Sequence, residues 1–377
     1  MVFAVKPEAI QLLSNAGVFG PVVIVPLILQ TELHANNQTI GLIAGGFAAA
    51  GFISSYIFGR GSDVYGRRNI LLVGLILSGV ATLLQAATIV SGGLAVFAGA
   101  RILMGFCSGM FPAALLAYAY DTKGKMGAFS AWGALGWAFG NYIVTVFVAY
   151  EQAYLLCAII LFASFAVALN LPFKTDTRMQ VPMFPKALIR RNAPVYASML
   201  IRHTGANMIW VTYPLFLTGI GATPQWIGII YGVNSVGQFI FMMFLMDKYD
   251  PSLLVAVGLG SSAVTFFTFT LAGSYWEIIP SQIMLAFAWA SLYVGSLRYV
   301  MDKNKEKATA SGLLSSTMSI SGIVGPVMGG IAATAFDFKG TIAIATGMSI
   351  VALAIFIYDL RRSGEFYRLK WPSRGPR

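Results

Sequence analysis

Arg202, His203, Asn207 and Trp210 fall on successive turns of one apolar run, and together they could bind an ionised or hydrogen-bonding solute. A guanidinium grips a carboxylate or phosphate through its planar fork. An imidazole, with an ordinary pKa of about 6.5, can carry a proton. An indole adds an apolar face and one N–H donor. A second arginine, Arg101, stands in another apolar run, with Gly105 four residues on. Amides and aromatics recur at helical spacing elsewhere: Asn15; Trp137 and Asn141; Asn234 and Gln238; Trp289 and Tyr293. Catalytic chemistry fits this set poorly. The two histidines are His34 and His203, and all fourteen acids fall in loops or at the ends of apolar runs, so no acid–base pair or ligand set converges. There is no glycine-rich phosphate loop for ATP-driven work. Cys107 and Cys157 lack metal-ligand spacing and read as small core residues. No metal and no cofactor is expected.

The elements that must position these groups follow from composition. Of 377 residues, 57% are hydrophobic and 10% charged, with a mean hydropathy of +0.75. Soluble domains are about 25% charged. Lipid is therefore the solvent for most of this chain. Apolar runs long enough to cross a bilayer lie at 9–30, 37–59, 69–90, 94–120, 126–149, 153–171, 193–219, 223–246, 252–273, 277–300, 309–335 and 340–360. They predict an all-α membrane protein with twelve transmembrane helices. The first run is too long for a cleavable signal core and reads as a span.

The net charge of +11 would suit a nucleic-acid partner in a soluble protein. Here the positive-inside rule explains it. With both termini cytoplasmic, all but three of the 25 lysines and arginines lie on the inner side. The exceptions are Lys339, in an outer loop, and Arg101 and Arg202, inside spans. The polar stretch 172–192, with Pro172, Pro182 and Pro185, divides the spans into two sixes. The expected organisation is an amino-terminal six-helix bundle over 1–171, a cytoplasmic linker over 172–192, a second bundle over 193–360 and a basic cytoplasmic tail over 361–377. Asp63-Val64-Tyr65 and Asp247-Lys248-Tyr249, about half a chain apart, form a faint internal echo of the kind left by duplicated halves.

The loop after span two reads Gly59-Arg60-Gly61-Ser62-Asp63-Val64-Tyr65-Gly66-Arg67-Arg68. It resembles the signature of the major facilitator superfamily between helices two and three, with Gly59, Asp63, Gly66, Arg67 and Arg68 matching. Val64 replaces a usual basic residue. Arg101 to Gly105 resembles the Arg-x-x-x-Gly motif of helix four. Gly325-Pro326-Val327-Met328-Gly329-Gly330 in span eleven resembles an element that drug/proton antiporters of the family carry in helix five. Span five here has Gly133, Gly136 and Gly140 but no proline. In motifs the chain is closest to the drug-efflux-like members.

The resemblance implies a secondary transporter of the cell (plasma) membrane. Alternating access would move a small organic solute past a site near the midplane, lined by helices one, four, seven and ten. The substrate-binding candidates are Asn15, Trp137, Asn141, Arg202, Asn207, Trp210, Asn234, Gln238, Trp289 and Tyr293. For each aromatic, ordinary helix packing is the competing role. Arg202 faces either the cavity or an inner-end acid such as Glu8, and Arg101 either a cavity or helix carbonyls. His203 is the one mid-span candidate for carrying a coupling proton, or else a structural residue; uniport stays open beside proton-coupled multidrug antiport. Gly59, Asp63, Gly66, Arg67 and Arg68 would form an inner gate, Asp63 pairing with a basic residue and facing a helix amino terminus. Two arginines without mid-span acids favour a neutral or anionic solute. Small-molecule substrate, membrane lipid and possible protons are the expected partners, and one chain suffices. A membrane-embedded enzyme and a channel are the rivals from other classes.

Overall fold

The computed structural model describes residues 6–25, 28–35, 37–91, 93–123, 125–144, 149–173, 181–210, 213–364 and 366. Part of the 172–192 linker and most of the basic tail lie outside the described residues. Everything regular among the described residues is helical. The main helices are α1 (Pro7–Phe19), α2 (Asn37–Tyr65), α3 (Arg67–Ser91), α4 (Leu94–Met110), α5 (Pro112–Lys123), α6 (Met126–Val144) and α7 (Tyr150–Leu169). They are followed by α8 (Lys186–Trp210), α9 (Tyr213–Gly219), α10 (Pro224–Phe244), α11 (Pro251–Leu271), α12 (Tyr275–Lys303) and α13 (Lys307–Arg362). Pro7, Pro224 and Pro251 each open a helix, where a missing N–H costs nothing. Asp250 caps α11 through Ser252 N (2.9 Å) and Leu253 N (3.2 Å).

Among the described residues, nine helical stretches are long and apolar enough to cross a membrane. They fall on the second, third, fourth, sixth and eighth to twelfth expected spans. The first expected span is broken: α1 gives way to a 3₁₀ turn at Gly20–Val23 and a π-turn at Ile28–Glu32. Pro21 accounts for the end of α1, since its ring cannot supply an amide to an α-helical ladder. The fourth span is two helices that meet at Phe111, before Pro112. The seventh comprises α8 and α9. Spans eleven and twelve run together in α13, separated by a break at Asp337 (φ 62°, ψ −172°) rather than by an open loop. The Asp337 carboxylate accepts from Gly340 N at 2.8 Å and so restarts the helix.

The described residues form two compact units, and neither is a continuous half of the chain. The first takes residues 1–124, 132–185 and 305–319. The second takes 125–131, 186–304 and 320–377. A short piece of each half thus belongs to the unit built mainly by the other. In the first unit the glycines of α4 and α6 set the packing. Gly105 brings α4 onto the Phe47 carbonyl of α2, and Gly136 brings α6 onto the Leu12 carbonyl of α1. Such small-residue contacts drive helix association where lipid removes the hydrophobic incentive.

Candidate functional site

In the second unit α8, α11 and α12 gather the charged candidates. Arg202 is 3% exposed. Its Nε donates to Ser262 Oγ on α11 at 2.9 Å. Its guanidinium carbon lies 5.3 Å from the Phe266 ring centre and 5.5 Å from that of Trp289. The His203 ring stacks on Trp289 with centroids 5.0 Å apart, and Trp289 stacks on Tyr293 at 5.4 Å. Among the described residues no carboxylate pairs with Arg202, and His203 Nδ1 has no hydrogen-bond partner. The aromatic rings compensate part of the buried charge through their quadrupoles.

A second group forms one wall of the same unit. Trp210 meets Tyr213 edge-on at 5.1 Å and Tyr231 at 6.2 Å. Gln282 Nε2 donates to the Tyr213 hydroxyl. Asn234 Nδ2 donates to the Gln282 carbonyl at 3.3 Å, and Gln238 Nε2 to Asn234 Oδ1 at 2.6 Å. Gln282 Oε1 is buried without a partner. An acceptor left so in an apolar interior is costly. Asn207 spends its amide on the His203 carbonyl at 3.0 Å.

Tyr213, Tyr231, Gln282 and Ser262 belong to these groups but not to the sequence-derived candidates. Tyr231 and Gln282 share helical stripes with Asn234 and Trp289, a signal that could have included them. Ser262 carries no such signal, because only tertiary packing brings α11 to Arg202.

In the first unit the candidates are more dispersed. Asn15 Nδ2 donates to Gln11 of its own helix at 2.8 Å. Asn141 Oδ1 is buried and unpartnered, and Trp137 is half-buried. Arg101, 5% exposed, lies 4.2 Å beneath the Phe47 ring.

The loop motif builds a corner of the first unit. Asp63, with a fully buried side chain, accepts at Oδ2 from both the backbone N and the Oγ1 of Thr309, each at 2.8 Å. Thr309 lies in the first turn of α13, so the carboxylate meets the positive end of that helix. Arg67 stands 3.6 Å from Asp63 Oδ1 and 2.5 Å from Asp121, which also pairs with Lys307. Gly59 makes the approach possible: a Cβ there would lie 2.9 Å from Gly312 Cα and 3.0 Å from the Ala308 carbonyl. Gly66 turns the chain from α2 to α3 with φ 105°, a conformation open to glycine. Arg60 Nε donates to the Val181 carbonyl at 2.7 Å, and Arg68 reaches the Leu169 carbonyl at 3.4 Å.

The second unit has its own corner at the echo of that motif. Asp247 accepts from Gly127 N at 2.8 Å and Ala128 N at 3.0 Å, in the first turn of α6. Arg298 Nη1 donates to the carbonyls of Met246 and Tyr249, both at 2.9 Å.

Helices of membrane length and paired corners on a repeated Asp describe a polytopic membrane protein built from related halves. The Major Facilitator Superfamily pattern matches residues 9–190 and 195–371, and the chain belongs to that family. Its members are transporters, not enzymes, and this one is a multi-pass protein of the cell membrane. The quinolone resistance protein NorA of Staphylococcus aureus is 22% identical over 361 residues, which cover 89% of this chain and 91% of that one. Multidrug resistance protein 2 of Bacillus subtilis is 22% identical over 357 residues, covering 86% and 88%. Among solved structures, the human organic anion transporter MFSD10 superposes with a TM-score of 0.79 at 16% identity, over 94% of this chain and 98% of that one. The proton:xylose symporter XylE gives 0.74 at 13% identity, over 94% of each chain. These likenesses establish the two-halved fold.

Proposed function

We propose that this protein moves a small organic solute, neutral or anionic, across the membrane by alternating access. The observation that carries the reading is Arg202: a buried guanidinium with no carboxylate partner among the described residues, set beside His203 and an aromatic–amide wall. A lipophilic cation would need an acid where this chain offers a base. The solute binds to groups drawn from Asn15, Trp137, Asn141, Arg202, Asn207, Trp210, Asn234, Gln238, Trp289 and Tyr293, with Tyr213, Tyr231 and Gln282 added. Trp289 acts mainly by holding Arg202 and His203 in place, since its ring is already engaged by His203 and Tyr293. Twelve spans with cytoplasmic termini, in bundles joined by the 172–192 linker, carry the site. Gly59, Asp63, Gly66, Arg67 and Arg68 gate it by holding and releasing the start of α13. One chain is enough for the cycle.

The similarity to quinolone and multidrug resistance proteins supports export of amphipathic aromatic compounds. A fluoroquinolone, which carries a carboxylate, is the first probe. In proteoliposomes Arg202→Lys should slow its transport and Arg202→Gln nearly abolish it, because a charge-assisted bond is replaced by a neutral one. Melting temperature on the same samples separates binding from folding. A Gln variant that is stable and transports normally overturns the anion reading.

A second reading, proton-coupled multidrug antiport, is favoured by the unpartnered Nδ1 of His203. It expects transport to collapse when the pH gradient is dissipated and His203→Gln to be insensitive to that gradient. Equal rates with and without the gradient leave facilitated exchange.

A further inference from the structure

On the Asp247 side of the second unit, α10, α11 and α12 leave a space that their side chains do not fill. Gly237 brings α10 onto the Ala286 side chain of α12, where an added Cβ would lie 2.8 Å away. Gly258 and Gly295 bring α11 onto α12: a Cβ at Gly258 would lie 2.5 Å from Leu292 N, and one at Gly295 would lie 2.7 Å from Leu254 Cβ. Leu254 also lines a partly enclosed cavity of about 260 Å³. The other walls come from Leu245 just past α10, Met246 and Tyr249 in the turn, Leu253 and Val257 on α11, and Phe287 on α12. The Phe287 ring is held edge-on by Phe241 of α10 at 5.4 Å.

The walls are almost wholly carbon. The carbonyls of two wall residues, Met246 and Tyr249, both accept from Arg298 Nη1 at 2.9 Å. A buried water needs several polar partners, and apolar cavities stay dry. An ion would lose its hydration and gain no partner. The fitting occupant is therefore apolar. A cavity of about 150 Å³ takes one benzene ring, so this one takes about ten carbons. Its surroundings say where they come from. Exposed Val236, Ile240 and Phe244 form a stripe along α10 at one-turn spacing, which stops one residue before Leu245. In a multi-pass membrane protein lipid tails cover such a stripe, and they are the apolar molecules already beside the cavity.

We propose that this cavity takes up the end of a phospholipid acyl chain, and that the chain braces the Asp247 corner. Met246 and Tyr249 form both the cavity wall and the carbonyl seat of Arg298. Asp247, between them in sequence, holds the first turn of α6. Filling the cavity fixes the turn that presents Asp247. The inference is independent of the solute and of the direction of transport.

The test uses the full chain in proteoliposomes of phosphatidylethanolamine and phosphatidylglycerol, with a trace of diacyl phosphatidylglycerol carrying a diazirine near the end of one acyl chain. After illumination and proteolysis, mass spectrometry should place adducts on residues 245–257 and on the peptide holding Phe287, besides those on the exposed stripe. Val257→Trp fills the cavity and should cut the cavity adducts several-fold, with stripe adducts at the parent level. If that variant does not fold, the smaller Val257→Phe should cut them in part. Restoring lipid to delipidated protein should slow hydrogen exchange several-fold in the peptide holding Gly127 and Ala128, and Val257→Trp should be slow without lipid. Adducts confined to the stripe, or cavity adducts unchanged in the Val257 variants, overturn the proposal. Cavity adducts from a free diazirine fatty acid, with none from the diacyl probe, give the cavity to a soluble amphiphile and overturn it too. Exchange indifferent to lipid overturns the bracing.

Discussion

The corners at Asp63 and Asp247 perform one task with different chemistry. Both carboxylates sit on the first turn of a helix from the opposite half of the chain. Asp63 does so with a single oxygen, which takes both bonds from Thr309, while its other oxygen faces Arg67 at 3.6 Å. Asp247 spends both oxygens on backbone amides, of Gly127 and Ala128. Around Asp63 a chain of ion pairs runs from Arg67 through Asp121 to Lys307. Around Asp247 the arginine turns to carbonyls instead. The first corner therefore depends on charge and the second on backbone geometry. Repeated halves can keep an architecture while dividing the energetics unequally.

The largest effect should come from steric loss of the first corner. A Cβ at Gly312 would lie 2.6 Å from the Ser55 carbonyl and 2.9 Å from Gly59 Cα, both backbone atoms. Gly312→Leu should lift α13 from α2 at a cost of about 3 kcal/mol. Faster labelling of a cysteine at Ser316 would report it. If labelling and melting temperature stay at the parent values, the first corner is not held by this contact.

Asparagine substitution splits the two corners more finely. At Asp247 the new NH₂ must face a backbone amide, so one bond is lost and a donor is orphaned, costing about 1–2 kcal/mol. At Asp63 the remaining oxygen can still take both Thr309 bonds, so Asp63→Asn should be milder in melting temperature. Its effect should lie in the balance of states, because the charge facing the α13 terminus and Arg67 is gone. Cysteine accessibility on the outer side is the readout. Equal losses of stability at both positions would erase the distinction between charge and geometry.

The smallest effect belongs to Asp121, whose side chain is 38% exposed. Pairs this open are worth about 0–1 kcal/mol and are screened by salt. Asp121→Asn should cost about 0.5 kcal/mol at low ionic strength and nothing measurable at high salt. A loss that persists in high salt would mean the network is more deeply held than its exposure implies.

Much of this could be read from residue order. Span positions follow from apolar run length, and the loop motif with its echo marks both Asp63 and Asp247. What the motif could not supply is the partner of each. Thr309 and Gly127 lie far along the chain and carry no pattern that points back. The grouping of Tyr213 with Gln282 escaped for the same reason, since a stripe on one helix does not name the helix it faces. The breaks in the first and fourth spans were signalled by Pro21 and Pro112, but length and hydropathy alone read through them. Arg202 was conspicuous as a charge in lipid, whereas its acceptor, Ser262, is a small hydroxyl on a helix that otherwise looks like lipid-facing filler.

The bond from Thr309 to Asp63 spans 246 positions. Chains grow at about 5–20 residues per second, so Asp63 waits roughly ten to fifty seconds after emerging before its partner exists. Through that interval the Asp63 carboxylate has Arg67, four residues on, as its neighbour but not the α13 terminus. The Gly127 amide is made first and waits 120 positions for Asp247. The first unit is thus completed only after residues 305–319 of the second half have been made. Each half stays chemically open until late in synthesis, and a nascent chain stalled before Thr309 would lack both bonds that close its first corner.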